Sequence, residues 1–296
     1  MKKISAHIVP TILLAGFSFI FNACGNTNDK GTKGNEPEIA NVDKGKMPLN
    51  ISLYIDLSNR IVVDKNYNQM DRDTAIIGNV VKWFTEKTVG KDIRKSKNRL
   101  KVFFYPVPAD PDINAISKNL SYDVSDYKGV DKRIYLEGYD GKVESLRHRV
   151  TNGLVQIYNQ TIQANNWPGC DIWDFFNSKQ VDSYCIRDGF RNVLIILTDG
   201  YLLDLNNMQS NGNEANFISN KNLSNPNFRL MANRAGLQDL EVRVMEINPT
   251  NAQLKERMKA VIETWLLDMG VKQENISIVP TDLPVNIEPI LRNFLE

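Results

Sequence analysis

The sequence predicts an α/β domain: an open, mainly parallel, doubly wound sheet of Rossmann-like type with helices on both faces. Three observations predict it. Short β-rich runs alternate with amphipathic helical runs from residue 49 onward. One run, residues 192–197 (NVLIIL), is apolar without a break, the mark of a central strand buried on both faces. Two strands end in acidic residues, Asp56 and Asp199, where ligands bind on sheets of this kind. The 296 residues are 42% hydrophobic and 24% charged, an ordinary globular balance with enough apolar side chains for one large core.

The elements follow in order. The first strand is read over residues 50–56 (NISLYID). A helix over 71–87 places Ile76, Ile77, Val80, Val81 and Phe84 at helical spacing. A strand over 99–105 is ended by Pro106 and Pro108. Residues 106–141 are polar and read as irregular, with a strand or hairpin edge around 133–136. A long helix over 143–162 carries Leu146, Val150, Leu154, Ile157 and Tyr158 on one side, and a shorter one runs over 171–176. The aromatic group Trp167, Trp173, Phe175 and Phe176 reads as core. After the central strand, residues 202–227 are rich in Asn and Ser and too long for a simple connection, so they are functional or disordered. A strand over 240–247, a helix over 252–268, a short strand over 276–280 and a helix over 286–295 complete one domain, residues 49–296.

Ahead of the domain, Lys2 and Lys3 precede a mostly apolar run over residues 8–21, followed by Asn22, Ala23 and Cys24. Basic start, apolar run and small residues at a cut site are the shape of a secretory signal, residues 1–23. The run falls short of the roughly 20 residues that span a bilayer. A cysteine at the cut site resembles a bacterial lipoprotein signal, in which Cys24 becomes the lipidated first residue. Phe21 and Asn22 depart from the aliphatic and small residues usual there, and a plain signal peptide or an uncleaved anchor is the alternative. Residues 24–48 are polar and read as a flexible tether. The expected location is the bacterial cell envelope, lipid-anchored at the outer membrane or its periplasmic face, with the lipid as the sole membrane contact. The formal charge is +1, and removal of Lys2 and Lys3 with the signal leaves 34 basic against 35 acidic residues. With no basic stripe, nucleic acid is not an expected partner. An oxidising compartment permits a disulfide between Cys170 and Cys185 without implying one.

The first strand runs into Asp56-Leu57-Ser58-Asn59-Arg60, the central strand into Thr198-Asp199-Gly200. If these strands are neighbours, Asp56, Ser58 and Asp199 share one small volume, and such oxygens suit a hard cation such as Mg²⁺. An apolar strand ending in Asp-x-Ser, with a later one ending in Thr-Asp-Gly, resembles the von Willebrand factor type A (VWA) family over most of residues 49–296. The resemblance implies a metal-ion-dependent adhesion site holding Mg²⁺, or Ca²⁺ or Mn²⁺, and a protein partner that offers the cation a carboxylate. The family motif is Asp-x-Ser-x-Ser, a distant Thr and a distant Asp. Asp56, Ser58 and Asp199 match it, Arg60 stands at the second Ser, and Cys170 or Asp171 stands in the region of the Thr. The implied ligands are Asp56, Ser58, Asp171 and Asp199, with Thr198 beside them. Asp171 equally suits the start of a helix, where an acid favours the dipole. Arg60 leaves two readings: Asp171 offsets its charge beside a cation, or Arg60 bridges Asp56 and Asp199 and replaces the metal.

Enzyme signatures are sparse. The one histidine beyond the signal, His148, lies between Arg147 and Arg149 on a solvated helix face. There is no His-Glu-x-x-His, no Gly-x-Ser-x-Gly, and no phosphate-cradling loop after the first strand. An aspartate-nucleophile phosphohydrolase would resemble Asp-x-Asp where this chain has Asp56 and Ser58. The expectation is a non-catalytic, protein-binding lipoprotein. A metal-dependent phosphohydrolase-like enzyme and a structural envelope lipoprotein without metal are the alternatives.

Overall fold

The computed structural model describes residues 44–62, 68–90, 93–128, 130–142, 144–165, 167–202, 218–249, 251–280, 282 and 284–296. Residues 1–43, which hold the expected signal, Cys24 and most of the expected tether, and residues 203–217 of the long connection lie outside them.

The strand β1 (Leu49–Ile55) is buried along its whole length and has a parallel partner on each side, β2 (Arg99–Phe103) and β4 (Arg191–Leu197). Beyond β4 come β5 (Leu240–Ile247) and β6 (Ile276–Pro280), both parallel, while β3 (Tyr122–Asp123) closes the opposite edge antiparallel to β2. The order is β3-β2-β1-β4-β5-β6. The chain therefore winds outward from β1 to one edge, then returns to wind outward from β4 to the other. The seam between β1 and β4 is the topological switch point, where a crevice opens beyond the strand ends. Ile55 is paired with Leu197 there, so Asp56 and Thr198 follow side by side.

The helices are placed by alternation along the strands. In β4, Val193, Ile195 and Leu197 face one core cluster, Leu194 and Ile196 the other. The first cluster is covered by α1 (Gln69–Val89), α4 (Leu146–Ala164) and α9 (Pro284–Leu295); the second by α5 (Ile172–Asn177), α6 (Gln180–Cys185) and α8 (Ala252–Asp268). A run that must bury both sides has no polar phase, which is why residues 192–197 read as unbroken apolar. Local chemistry sets helix starts: the side chains of Asn68, Ser145 and Asn251 accept from Asp71 N, His148 N and Leu254 N. Thus α1 begins two residues earlier than its apolar stripe predicts, and α4 three residues later than residue 143.

Residues 106–141 are not irregular. They hold α2 (Pro111–Lys118), with Asp110 capping and Pro111 in the first turn, then β3 and α3 (Val130–Glu137). The strand expected at 133–136 is helical. The open edge of β2 is already met at Arg99 and Leu100 by β3, and α3 lays Tyr135 against Tyr122 and Tyr127, with ring centroids 5.8 and 4.1 Å away. The described end of the stretch read as tether is folded: Lys44–Lys46 form a 3-10 turn, and Lys44 Nζ donates to Glu241 Oε1 and Asn275 Oδ1. Residues 218–227 of the long connection include a short helix, α7 (Asn220–Leu223). Phe175 and Phe176 are fully buried, with Trp167 and Trp173 packed against the two clusters. Cys170 and Cys185 are both buried and free.

Candidate functional site

At the carboxyl end of β1 the chain turns sharply. Asp56 is 1% exposed; its N–H donates to Leu197 O across the seam, and its carboxylate accepts from Ser58 N at 2.8 Å and Thr198 Oγ1 at 2.9 Å. The Ser58 bond folds the chain back on itself and delivers residues 59–61 as a 3-10 turn. Arg60 comes out of that turn pointing inward. Its side chain is 4% exposed, with Nη2 2.7 Å from Asp73 Oδ2 on α1 and Nε 3.6 Å from Asp56 Oδ2. It also donates to the carbonyl oxygens of Asp56 and Leu197. Burial opposes the charge, but Asp73 and Asp56 outweigh it and hold the guanidinium pKa above the usual arginine value.

Asp73 is itself fully buried. Besides Arg60, it accepts from Tyr158 Oη at 2.6 Å and Gln69 Nε2 at 2.6 Å. Gln69 also reaches Glu246 Oε2 at 3.3 Å, and Arg72 binds Glu246 with two bonds of 2.9 and 3.1 Å. Arg72 donates as well to Asp282 O. Glu246 sits at a register shift between Met245 and Ile247 with φ of 72°, the extra residue of a bulge that turns its side chain out of the strand's alternation. A continuous buried polar chain thus runs Thr198–Asp56–Arg60–Asp73–Gln69–Glu246–Arg72, tying α1 to the strand ends.

Asp199 follows Thr198 at the rim. Its Oδ1 accepts from Tyr201 N at 3.0 Å. Burial first, then the neighbouring Asp56 carboxylate, push its pKa up to about 6, against the lowering by the Tyr201 N–H and by Arg60. Gly200 completes the turn with φ of 93°, a left-handed conformation that favours glycine, and a Cβ there would crowd the Met258 and Ile247 side chains. The other wall of the crevice is the 169–171 loop, held by a bridge between Leu57 and Gly169 and by Asp171 N donating to Tyr105 O. Cys170 is buried here, beside Tyr54, whose hydroxyl donates to Tyr105 O. Burial first, then Asp56, raise the thiol pKa well above its usual value.

The structure brings Asp56, Ser58, Arg60, Thr198 and Asp199 together at the switch point. Asp171 lies on the adjoining loop, where its Oδ1 caps α5 by accepting from Asp174 N at 2.8 Å. Arg60 bridges Asp56 to Asp73, not Asp56 to Asp199. Among the described residues, no group of three or more His, Cys, Asp or Glu side chains is arranged to hold a metal ion. Sequence reasoning missed Asp73, Gln69, Tyr158, Arg72 and Glu246. A signal existed for some: Gln69 and Asp73 continue the stripe of Ile76, Ile77 and Val80 into the first turn of α1, so polar groups lie in phase with the core. Tyr158 was placed in the stripe of α4, but its hydroxyl's partner lies 85 residues away in sequence.

No family model and no curated protein matches the chain. Among solved structures, the chain is similar to the pilus adhesin SpaC from Lactobacillus rhamnosus GG, at 11% identity and a TM-score of 0.41, over 83% of this chain and 30% of the adhesin. It is also similar to proximal thread matrix protein 1 from the mussel byssus, at 10% identity and 0.38, over 84% of this chain and 47% of that one. A third is an aerotolerance-related membrane protein from Bacteroides fragilis, at 11% identity and 0.36, over 83% of this chain and 98% of that one. The chain thus spans less than a third of the adhesin's length.

Proposed function

We propose that the chain is an envelope-anchored, non-catalytic protein-binding lipoprotein with a VWA-like domain, whose recognition rim at the carboxyl edge of the sheet works without a divalent cation. The observation that carries this reading is the Arg60 guanidinium, 4% exposed and held between Asp73 and Asp56. A fixed positive charge already sits beside the carboxylates that a divalent ion would need. The remaining donor set fits such an ion poorly. Both Asp56 oxygens accept protein hydrogen bonds, Asp171 Oδ1 is turned to a helix end, and Cys170 adjoins the carboxylates. Mg²⁺ and Ca²⁺ prefer an all-oxygen shell.

The same engagement of Asp56 supports a non-catalytic reading, since a nucleophilic carboxylate needs an oxygen presented to substrate. His148 is exposed on α4. Anchoring is supported by the N-terminal sequence, from Lys2 and Lys3 through the apolar run to Cys24. Without a bound cation the Asp199 rim keeps its negative charge at neutral pH. A partner presenting a basic or hydrogen-bond-donating side chain fits it better than one presenting a carboxylate.

The test is capture of partners from envelope extract with and without chelator, by wild type and Asp199→Ala, alongside calorimetric titration with Mg²⁺, Mn²⁺ and Ca²⁺. Capture indifferent to chelator but lost in Asp199→Ala is expected, with no heat of metal binding. Capture abolished by chelator, or a saturable heat with any of the three ions, would restore the metal-dependent reading.

A further inference from the structure

At the amino end of the sheet, opposite Asp56 and Asp199, lies a cleft of about 760 Å³. Its walls are the segments that lead into β1, β2 and β4, the end of α1 and the last residues of α9. Six basic side chains line it: Lys44, Lys46, Lys87, Lys95, Lys97 and Arg191. Arg191 and Lys44 sit against Glu241. Arg191 binds Glu241 through Nε and Nη2 and donates to the carbonyls of Phe294 and Leu295, and Lys44 shares Glu241. Lys46, Lys87, Lys95 and Lys97 are exposed around the mouth, where the acids among the described lining residues are Asp188 and Glu296. Lys87 Nζ stands 5.5 Å over the Trp83 ring, its stem against the wall and its charge at the rim.

The two ends of the sheet therefore present different charged groups. The carboxyl end gathers Asp56, Asp73, Asp199 and Glu246 against Arg60 and Arg72, while the amino end gathers exposed lysines. The chain also joins the domain at the lysine end, where Lys44 lies in the cleft wall. A lipid at Cys24 would thus draw this end, not the acidic one, toward the bilayer.

We propose that the lysine rim of Lys46, Lys87, Lys95 and Lys97 is a membrane-contact surface that takes the phosphate groups of anionic phospholipids and turns the acidic rim away from the bilayer. The proposal rests on the envelope-anchored reading. Clusters of four or more basic residues next to a membrane attachment point are attracted to anionic headgroups, and the attraction acts only within about a Debye length, some 10 Å at moderate salt. Residues 25–43 tie Cys24 to this end of the domain, and the rim then selects which face of the domain meets the lipid.

The test uses residues 25–296, which retain the whole compact unit Asp43–Glu296. The protein is co-sedimented with vesicles of phosphatidylcholine alone and with one-third phosphatidylglycerol. Binding to the anionic vesicles only, weakening as salt is raised, is expected. Each lysine neutralised, Lys97→Gln first, should weaken binding about fivefold. The four-fold variant Lys46→Glu, Lys87→Glu, Lys95→Glu, Lys97→Glu should lose it, with an unchanged circular dichroism spectrum. A control of equal net charge, with Lys118, Lys128, Lys142 and Lys221 each changed to Glu on other exposed surfaces, should bind as wild type. Equal binding to neutral vesicles, undiminished binding by the rim variants, or an equal loss in the control overturns the proposal. Metabolic lipid labelling of the full chain, with Cys24→Ala as reference, reads the anchor separately. A labelled chain whose unlipidated form ignores anionic vesicles sinks this proposal alone; a chain unlabelled at Cys24 sinks the anchored reading and the proposal with it.

Discussion

Arg60 is the residue on which the carboxyl edge turns. A guanidinium 4% exposed among carboxylates is costly to desolvate and more costly to remove, because its partners stay behind. Arg60→Ala should lower stability by about 3–5 kcal/mol, read from urea unfolding midpoints, since Asp73 and Asp56 would lose their counter-charge. Adding Asp73→Asn to Arg60→Ala should recover part of that loss; no recovery would mean that Arg60 acts by packing and not by charge. Asp199 offers a second measurement. Its pKa is raised to about 6, so the folded state holds the proton more tightly than the unfolded chain. Its stabilising contribution is full below the ordinary carboxylate pKa and is lost as pH rises through about 6. Asp199→Asn, which keeps an oxygen for the Tyr201 N–H, should raise stability near pH 7 and flatten its pH dependence between about 4 and 6. Parallel pH profiles for the two proteins would refute this.

Helix starts and strand ends explain why particular side chains are spent on structure. Asp171 stands where the VWA resemblance placed a ligand, and its Oδ1 accepts from Asp174 N at the head of α5. Asp171→Ala should cost about 1 kcal/mol in unfolding free energy, as loss of an N-cap does. A much larger loss would show a second structural role. The helix α1 does more than cover the sheet. Its first turn carries Gln69, Arg72 and Asp73 into the buried chain that joins Glu246 at the β5 bulge to Arg60 at the β1 turn. How legible these elements were depends on how local their causes are. The helix over residues 252–268 and the strands over 240–247 and 276–280 were read at their observed bounds, because each has its full apolar phase within itself. Helices α2 and α3 were not read, because each buries little along its own length: only Ile113 in α2, and Lys132 and Leu136 in α3. With so short a phase, periodicity cannot separate helix from strand.

One sheet buried on both faces makes residues 43–296 a single unit. Among the described residues the two core clusters lie on opposite faces of the same strands, so each face is built on the sheet. A chain of Asp43–Glu296 should therefore fold alone and melt in one cooperative transition by circular dichroism; two separated transitions would show that the faces fold independently. The same architecture separates the charges. Parallel strands put all of their carboxyl ends on one side, so the acids that end β1 and β4 gather there, while the lysines that precede β1 and β2 gather opposite.

By itself, the sequence determined the α/β class, the buried central strand, the order of the principal strands and helices, and the acids at two strand ends. These follow from local periodicity, from strand-ending chemistry and from the rule that parallel sheets bind ligands at their carboxyl edge. Only the tertiary structure decided that β1 and β4 are neighbours at the switch point, that Arg60 turns inward to Asp73, and that Asp171 caps a helix. The physical reason is distance along the chain. Arg60 and Asp73 are 13 residues apart, Asp56 and Thr198 142, Asp73 and Tyr158 85, and no local pattern encodes which of several buried charges will find which partner.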